Sequence, residues 1–205
     1  MSGYSDVIPV TITADTVALD ADGISTATSV GNNAALVIGG ALADGGSVTL
    51  SHGRIVTILS AGDDSAKSFT VVGTDVNGDS QTESITGANA GTATGAVYFK
   101  TIASITAVGN PAGNVSAGVN ASAADVVFTM RSRLKGVFLT STATAGEVDF
   151  LTTSPTGTSI MKLNSVSNAD ATRDVTIPDE GVVFASGIYI QYTVSTFLTM
   201  TVFHA

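Results

Sequence analysis

The sequence predicts an all-β protein, an antiparallel β-sandwich of jelly-roll-like kind built as two small β domains. Three observations predict it. Short β-branched runs recur along the chain, separated by Gly, Asn and Asp. Helical periodicity, with apolar residues at i, i+3, i+4 and i+7, is almost absent. Hydrophobic residues make up 44 % of the 205 residues and charged residues only 12 %, so a sizeable core is available and a disordered chain is not expected.

The runs follow in order. Val7-Ile-Pro-Val-Thr-Ile-Thr13 opens the series, and Ala35-Leu-Val-Ile38 comes next. Val48-Thr-Leu50 and Ile55-Val-Thr-Ile-Leu59 are divided by Ser51-His52-Gly53, read as a turn. Phe69-Thr-Val-Val72, Val97-Tyr-Phe99, the stretch 102–108, Val126-Val-Phe-Thr129 and Val137-Phe-Leu139 continue the pattern. Asp75-Val-Asn-Gly-Asp79 reads as a hairpin turn of type I closed by a Gly bulge. That register sets Asp75 opposite Asp79 and Phe69 opposite Ile85. A two-residue turn at Asn77-Gly78 would set Phe69 opposite Thr86, so the first register is preferred because it pairs apolar residues.

Near the C-terminal end, Ile188, Ile190, Tyr192 and Val194 share one parity. Leu198, Met200 and Val202 form a second alternating run, with His204 on the same parity. Two strands joined near 195–197 explain both. Ile177-Pro-Asp-Glu-Gly181 and Ala185-Ser-Gly187 read as turns. The small-residue stretches 110–114 and 118–124 place a domain boundary. An acidic N-terminal β domain is expected over 1–122, with an extended arm over 1–30, and a C-terminal β-sandwich domain over 123–205.

The net charge is −9, from 17 acids and 8 bases. Residues 1–122 hold 10 acids and 3 bases. Nucleic-acid binding needs clustered Lys and Arg, so no nucleic-acid partner is expected. The longest apolar stretch, 34–43, is interrupted by Gly39 and Gly40 and is far too short to cross a bilayer, so no membrane partner is expected either. With no Cys there is no disulfide framework and no thiolate chemistry. The opening Met1-Ser-Gly-Tyr-Ser-Asp6 has neither a basic n-region nor an apolar h-region, which points to assembly in the cytosol.

Candidate sites are few. Asp75-x-Asn77-x-Asp79 with Glu83 resembles the start of a calcium loop. Gly78 and Glu83 stand at the wrong loop positions for an EF-hand, and the flanks are strand-like. A turn is the better reading. His52 and His204 are the only histidines, too few and too far apart for a zinc site. No Gly-x-Ser-x-Gly elbow or phosphate loop is present. Gly87-x-x-x-Gly91-x-x-x-Gly95 reads as a loop of small residues. Asp63-Asp64 and Asp179-Glu180 read as solvated turn carboxylates, and the chain has no Trp and only 4 Tyr to line a sugar cleft. No catalytic residue, metal or cofactor is expected. Arg131, Arg133 and Lys135 alternate along an expected strand. They make either a solvated, edge-protecting face or a basic stripe that meets an acidic surface on a partner.

The stretches Arg54-Ile-Val-Thr-Ile-Leu-Ser-Ala-Gly62, 69–94 with its continuation Tyr98-Phe-Lys-Thr-Ile-Ala-Ser-Ile-Thr106, and Ile177-Pro-Asp-Glu-Gly-Val-Val-Phe-Ala-Ser-Gly-Ile-Tyr-Ile190 resemble segments recurrent in tailed-bacteriophage virion structural proteins. The resemblance implies a non-enzymatic virion component assembled in the host bacterial cytoplasm. The favoured role is a capsid decoration (cement) protein on the capsid exterior. Its implied partners are copies of itself, as a homo-oligomer and by preference a trimer, and the major capsid protein or another virion protein. A tail, adaptor or head-fibre component is the alternative role. A bacterial surface adhesin or carbohydrate-binding β module is a third, disfavoured by the missing export signal and the few aromatics.

Overall fold

The computed structural model describes residues 6–168 and 171–205. Among them the chain is 64 % strand with no helix, arranged in two antiparallel sheets as a β-sandwich. The strands are β1 (Ile8–Thr13), β2 (Asp20–Thr28), β3 (Ala43–Asp44), β4 (Ser47–Ser60), β5 (Ser68–Thr74), β6 (Ser80–Thr86), β7 (Thr92–Val108), β8 (Val115–Phe128), β9 (Ser132–Ser141), β10 (Gly146–Thr152), β11 (Thr158–Ser165), β12 (Thr172–Thr176), β13 (Val182–Phe184), β14 (Ile188–Thr193) and β15 (Phe197–His204).

Two units divide the chain, Val17–Ala123 and a discontinuous one of Met1–Thr16 with Ala124–Ala205. The sequence reading put the boundary between 122 and 123 and assigned residue 1 onward to the N-terminal domain. The difference lies in β1, which pairs with β15 from Ile8↔His204 to Thr13↔Thr199 and so belongs with the C-terminal strands. The expected extended arm over 1–30 is replaced by β1 and β2, while residues 1–5 lie outside the described residues.

In the unit 17–123, β7 lies between β4 and β5, and β6 pairs with β5. The β5–β6 hairpin has the register expected from its turn, Phe69↔Ile85 through Thr74↔Ser80. Alternation follows from the strand period of two. Phe69 and Val71 are buried, and Ser68, Thr70, Val72 and Thr74 lie on the other face. The core gathers Ile24, Val56, Ile58, Phe99, Ile102 and Val115 around them. Each such side chain contributes about 1.5–3 kcal/mol of burial.

Several sequence boundaries are corrected here. Val48–Leu50 and 55–59 are one strand, β4, with a bulge instead of a turn. Thr49 pairs with Thr101 and Arg54 with Phe99, so residues 50–53, His52 included, swell out against a short stretch of β7. Ala35–Ile38 forms no strand. Leu36 is buried and its N–H donates to the Ile105 carbonyl at 2.8 Å, while Val37 is 73 % exposed. The stretch 118–124, expected as turn, lies inside β8. Its small residues serve close packing, since a Cβ on Gly118 would collide with the Asp20 carbonyl of the adjoining β2.

In the discontinuous unit one sheet runs β1-β15-β9-β12, with β13 also on β9. The Ala14 N–H donates to the Leu198 carbonyl at 3.0 Å. Parity then turns the amides of Ile8, Val10 and Ile12 toward β15 and leaves those of Thr11 and Thr13 on the open edge. Pro9 falls on the open-edge parity, where its missing N–H costs no ladder bond. Thr11 and Thr201 oppose each other with hydroxyls 3.0 Å apart. A register shift between Phe197 and Thr199 buries Phe197 and leaves Leu198 47 % exposed. Leu198 therefore leaves the expected apolar run, whereas Met200, Val202 and His204 are buried. β14 and β15 do not pair with each other. β14 pairs with β10, β15 pairs with β1 and β9, and the link between them, with Ser195 at φ 63, carries the chain from one sheet to the other.

Candidate functional site

The basic stripe is built on β9. Arg131 lies in the bend before the strand and is exposed. Arg133 and Lys135 lie on β9, where a register shift between Phe203 and His204 inserts Lys135 as an extra residue. β12 and β13 both pair with β9, and the turn 177–181 loops out between them. That turn covers two of the three cations. Arg133 donates to the Glu180 carbonyl at 3.3 Å and lies 3.4 Å from its carboxylate. Lys135 Nζ donates to the Asp179 carbonyl at 3.0 Å. Glu180 is 82 % exposed, so the ion pair itself is worth about 0–1 kcal/mol. Gly181 completes the turn at φ 77, where a Cβ would collide with the Leu134 carbonyl.

The Asp75 hairpin spends its side chains on itself. Asp75 Oδ1 accepts from the amides of Asn77 at 2.8 Å and Asp79 at 3.0 Å, and Gly78 stands at φ 88. In the stretch 87–95, Gly95 leaves space for the Glu83 carboxylate, which accepts from the Ala96 amide at 2.5 Å. Asp179-Glu180 is a surface turn, as expected. Asp63-Asp64 is not. Asp63 is exposed, and the Ser65 hydroxyl and amide hold its carboxyl below the usual range. Asp64 is fully buried.

Two buried polar groups escaped the sequence reading. Arg54 is fully buried, and its guanidinium donates to the Val17 carbonyl at 3.0 Å and to the Asn120 carbonyl. The signal was its parity, since Arg54 alternates in phase with buried Val56 and Ile58. Ser132 and His204 form the second group, with Oγ 3.0 Å from Nδ1. The Ser132 hydroxyl also lies 3.1 Å from the Ala205 carbonyl, so it bridges the ring and the main chain. Both residues are buried, and the His204 ring packs on Phe128 at a centroid distance of 4.8 Å. Burial pushes His204 below its usual pKa, which keeps it neutral.

Among the described residues no three His, Cys, Asp or Glu side chains converge on a metal position. An open groove of about 400 Å³ beside β12 is lined by Val166, Thr172, Arg173, Asp174 and Val175, without a nucleophile–base pair. No family model, no curated protein and no solved structure matches this chain significantly. On the outer face of the β5–β6 hairpin, Ser68, Thr70, Val72 and Thr74 stand opposite Thr86, Ser84, Thr82 and Ser80. That face carries hydroxyls and one valine and no charge, in a chain of net charge −9.

Proposed function

We propose that this protein is a non-enzymatic structural component of a tailed-bacteriophage virion. Its role is capsid decoration: it binds the outer surface of the head as a homo-oligomer, by preference a trimer. The carrying observation is the uncharged hydroxyl face of the β5–β6 hairpin. Such a face avoids the self-repulsion that a −9 chain meets elsewhere, and its hydroxyls can hydrogen-bond across a contact. The resemblance of 54–62, 69–106 and 177–190 to virion proteins supplies the biological setting. Open sheet edges at β1 and β6 add to the case, because edges need pairing or cover and cyclic assembly supplies it.

The test is binding to purified heads that lack this protein, read by co-sedimentation, together with the mass of the free protein by light scattering. Saturable binding by an oligomer is expected. A strictly monomeric protein that leaves heads unoccupied at micromolar concentration would refute the reading.

A further inference from the structure

We propose that the open edge of β6 pairs with β6 of a second copy of this chain, antiparallel and about a two-fold axis at Thr82. The two sheets end at β1 and β12 and at β11 and β6. Three of those edges carry residues that discourage strand addition. Pro9 lies in β1, Lys162 in β11, and Arg173 with Asp174 in β12. β6, Ser-Gln-Thr-Glu-Ser-Ile-Thr, holds no Pro, Lys or Arg, and its ladder with β5 runs without a register shift. The ladder is closed at its ends by the Asp75 amide on Asp79 O at 2.9 Å and the Gly87 amide on Lys67 O at 3.0 Å. Bonded pairs recur at every second residue of an antiparallel ladder. Gln81, Glu83 and Ile85 therefore bond β5, and Ser80, Thr82, Ser84 and Thr86 turn their N–H and C=O groups to the open side. Those four residues are exposed.

The occupant follows from the strand's own pattern. Open-side residues bond only open-side residues, so a two-fold axis can fall on Thr82, Glu83 or Ser84. An axis at Glu83 sets two carboxyls opposite each other, which is unfavourable. An axis at Ser84 sets Glu83 against the apolar Ile85. An axis at Thr82 pairs Thr82 with itself and Ser80 with Ser84, and it sets Gln81 against Glu83 of the second copy, twice. A row of hydroxyls then meets its like on one face, and an amide meets a carboxyl on the other. Both of these side chains are already held in place. Gln81 Nε2 donates to the Tyr98 carbonyl at 2.9 Å, and Glu83 accepts from the Ala96 amide at 2.5 Å. Gln81 keeps a second amide hydrogen for the pair. The three opposed open-side pairs exchange about six backbone hydrogen bonds. Such a contact closes at two copies. It is additional to any threefold contact at the head and goes beyond the proposed role.

The experiment is light scattering of the whole free protein over a concentration series, beside oxidative cross-linking of single-cysteine variants in a chain that has no Cys. A mass of two chains, or an even multiple of one, is expected. Ser84→Pro removes an open-side N–H and no bond to β5, so it should weaken self-association roughly tenfold or more while the β-sheet circular dichroism is kept. Should Ser84→Pro fail to fold, Thr82→Lys serves instead, since it sets two like charges on the axis. Thr82→Cys should give a covalent dimer, because opposed Cα atoms lie about 5.5 Å apart, within disulfide reach. Ser84→Cys should not, because its two copies lie about 14 Å apart. Equal cross-linking of the two cysteine variants overturns the pairing. So does a monomeric wild type, or a trimer whose mass ignores the edge variants, although that trimer leaves the role at the head standing. A Ser84→Pro protein that keeps its mass but no longer binds heads also overturns it, because the edge then takes a strand of the shell.

Discussion

Arg54 is the residue on which the unit 17–123 closes. Its guanidinium reaches carbonyls at both chain ends of that unit, Val17 and Asn120. Lysine has a point charge in place of a planar fork and cannot serve both carbonyls with the same geometry. Arg54→Lys is expected to destabilise the protein by about 2–4 kcal/mol, with an unchanged denaturant slope in urea unfolding. His204 gives the pH dependence. Burial lowers its folded-state pKa below the usual 6.5, so the unfolded chain takes up the proton first. The resulting stability is complete above the unfolded value and is lost as pH falls through about 6.5 toward the folded value. Wild type should therefore lose more of its melting temperature between pH 7.5 and 5.5 than His204→Gln does. Equal losses in the two proteins would remove His204 from the account. Arg54 and the buried Asp64 show where sequence legibility stops. The parity of Arg54 was visible in its run, but a lone arginine in a strand reads as solvent-facing until the carbonyls that accept from it are known. Asp64 offers no pattern at all, because its burial comes from loops distant in sequence.

Turn chemistry was the most legible feature among the elements. Asp75, Asn77 and Gly78 carry their own conformational preferences, so the hairpin register could be read without its neighbours. Gly78→Ala, at φ 88, is expected to cost about 1 kcal/mol, measured by chemical denaturation. Asp79→Ala should leave any calcium response of the protein untouched, because the Asp75 carboxylate is already taken by the Asn77 and Asp79 amides. A calcium response lost in Asp79→Ala would restore the metal reading of that hairpin. Long strands were less legible. β4 looked like two runs, because a bulge places Ser51, His52 and Gly53 where the alternation breaks. β8 looked like a linker because Gly and Ala carry no periodic signal, and their role depends on the backbone that approaches them. The same bulge logic explains Leu198, which one extra residue moves from the inner to the outer face.

At the scale of the molecule, the fold class was legible from composition and turn spacing, while the partition of strands was not. No local signal in 8–13 names β15 as its partner. The basic stripe now separates into two roles that one experiment distinguishes. Arg133 and Lys135 bind the 177–181 turn, so reversing them disturbs that turn as well as any contact. Arg131→Glu alone changes an exposed charge. If the stripe meets a partner, Arg131→Glu should weaken co-sedimentation with heads several-fold at low salt and less at high salt. Binding unchanged across the salt series would remove Arg131 from any such contact.

The pairing of β1 with β15 also sets an order of events during synthesis. Thr11 and Thr201 meet across 190 positions, so β1 leaves the ribosome long before its neighbour is translated. The intervening 17–123 has its own core and is complete by then. It can fold on the ribosome as an independent body, while β1 waits unpaired for the last strand. Pulse-labelled nascent chains should acquire protease resistance over 17–123 first. Protection of 8–13 should follow only after β15 has cleared the exit tunnel.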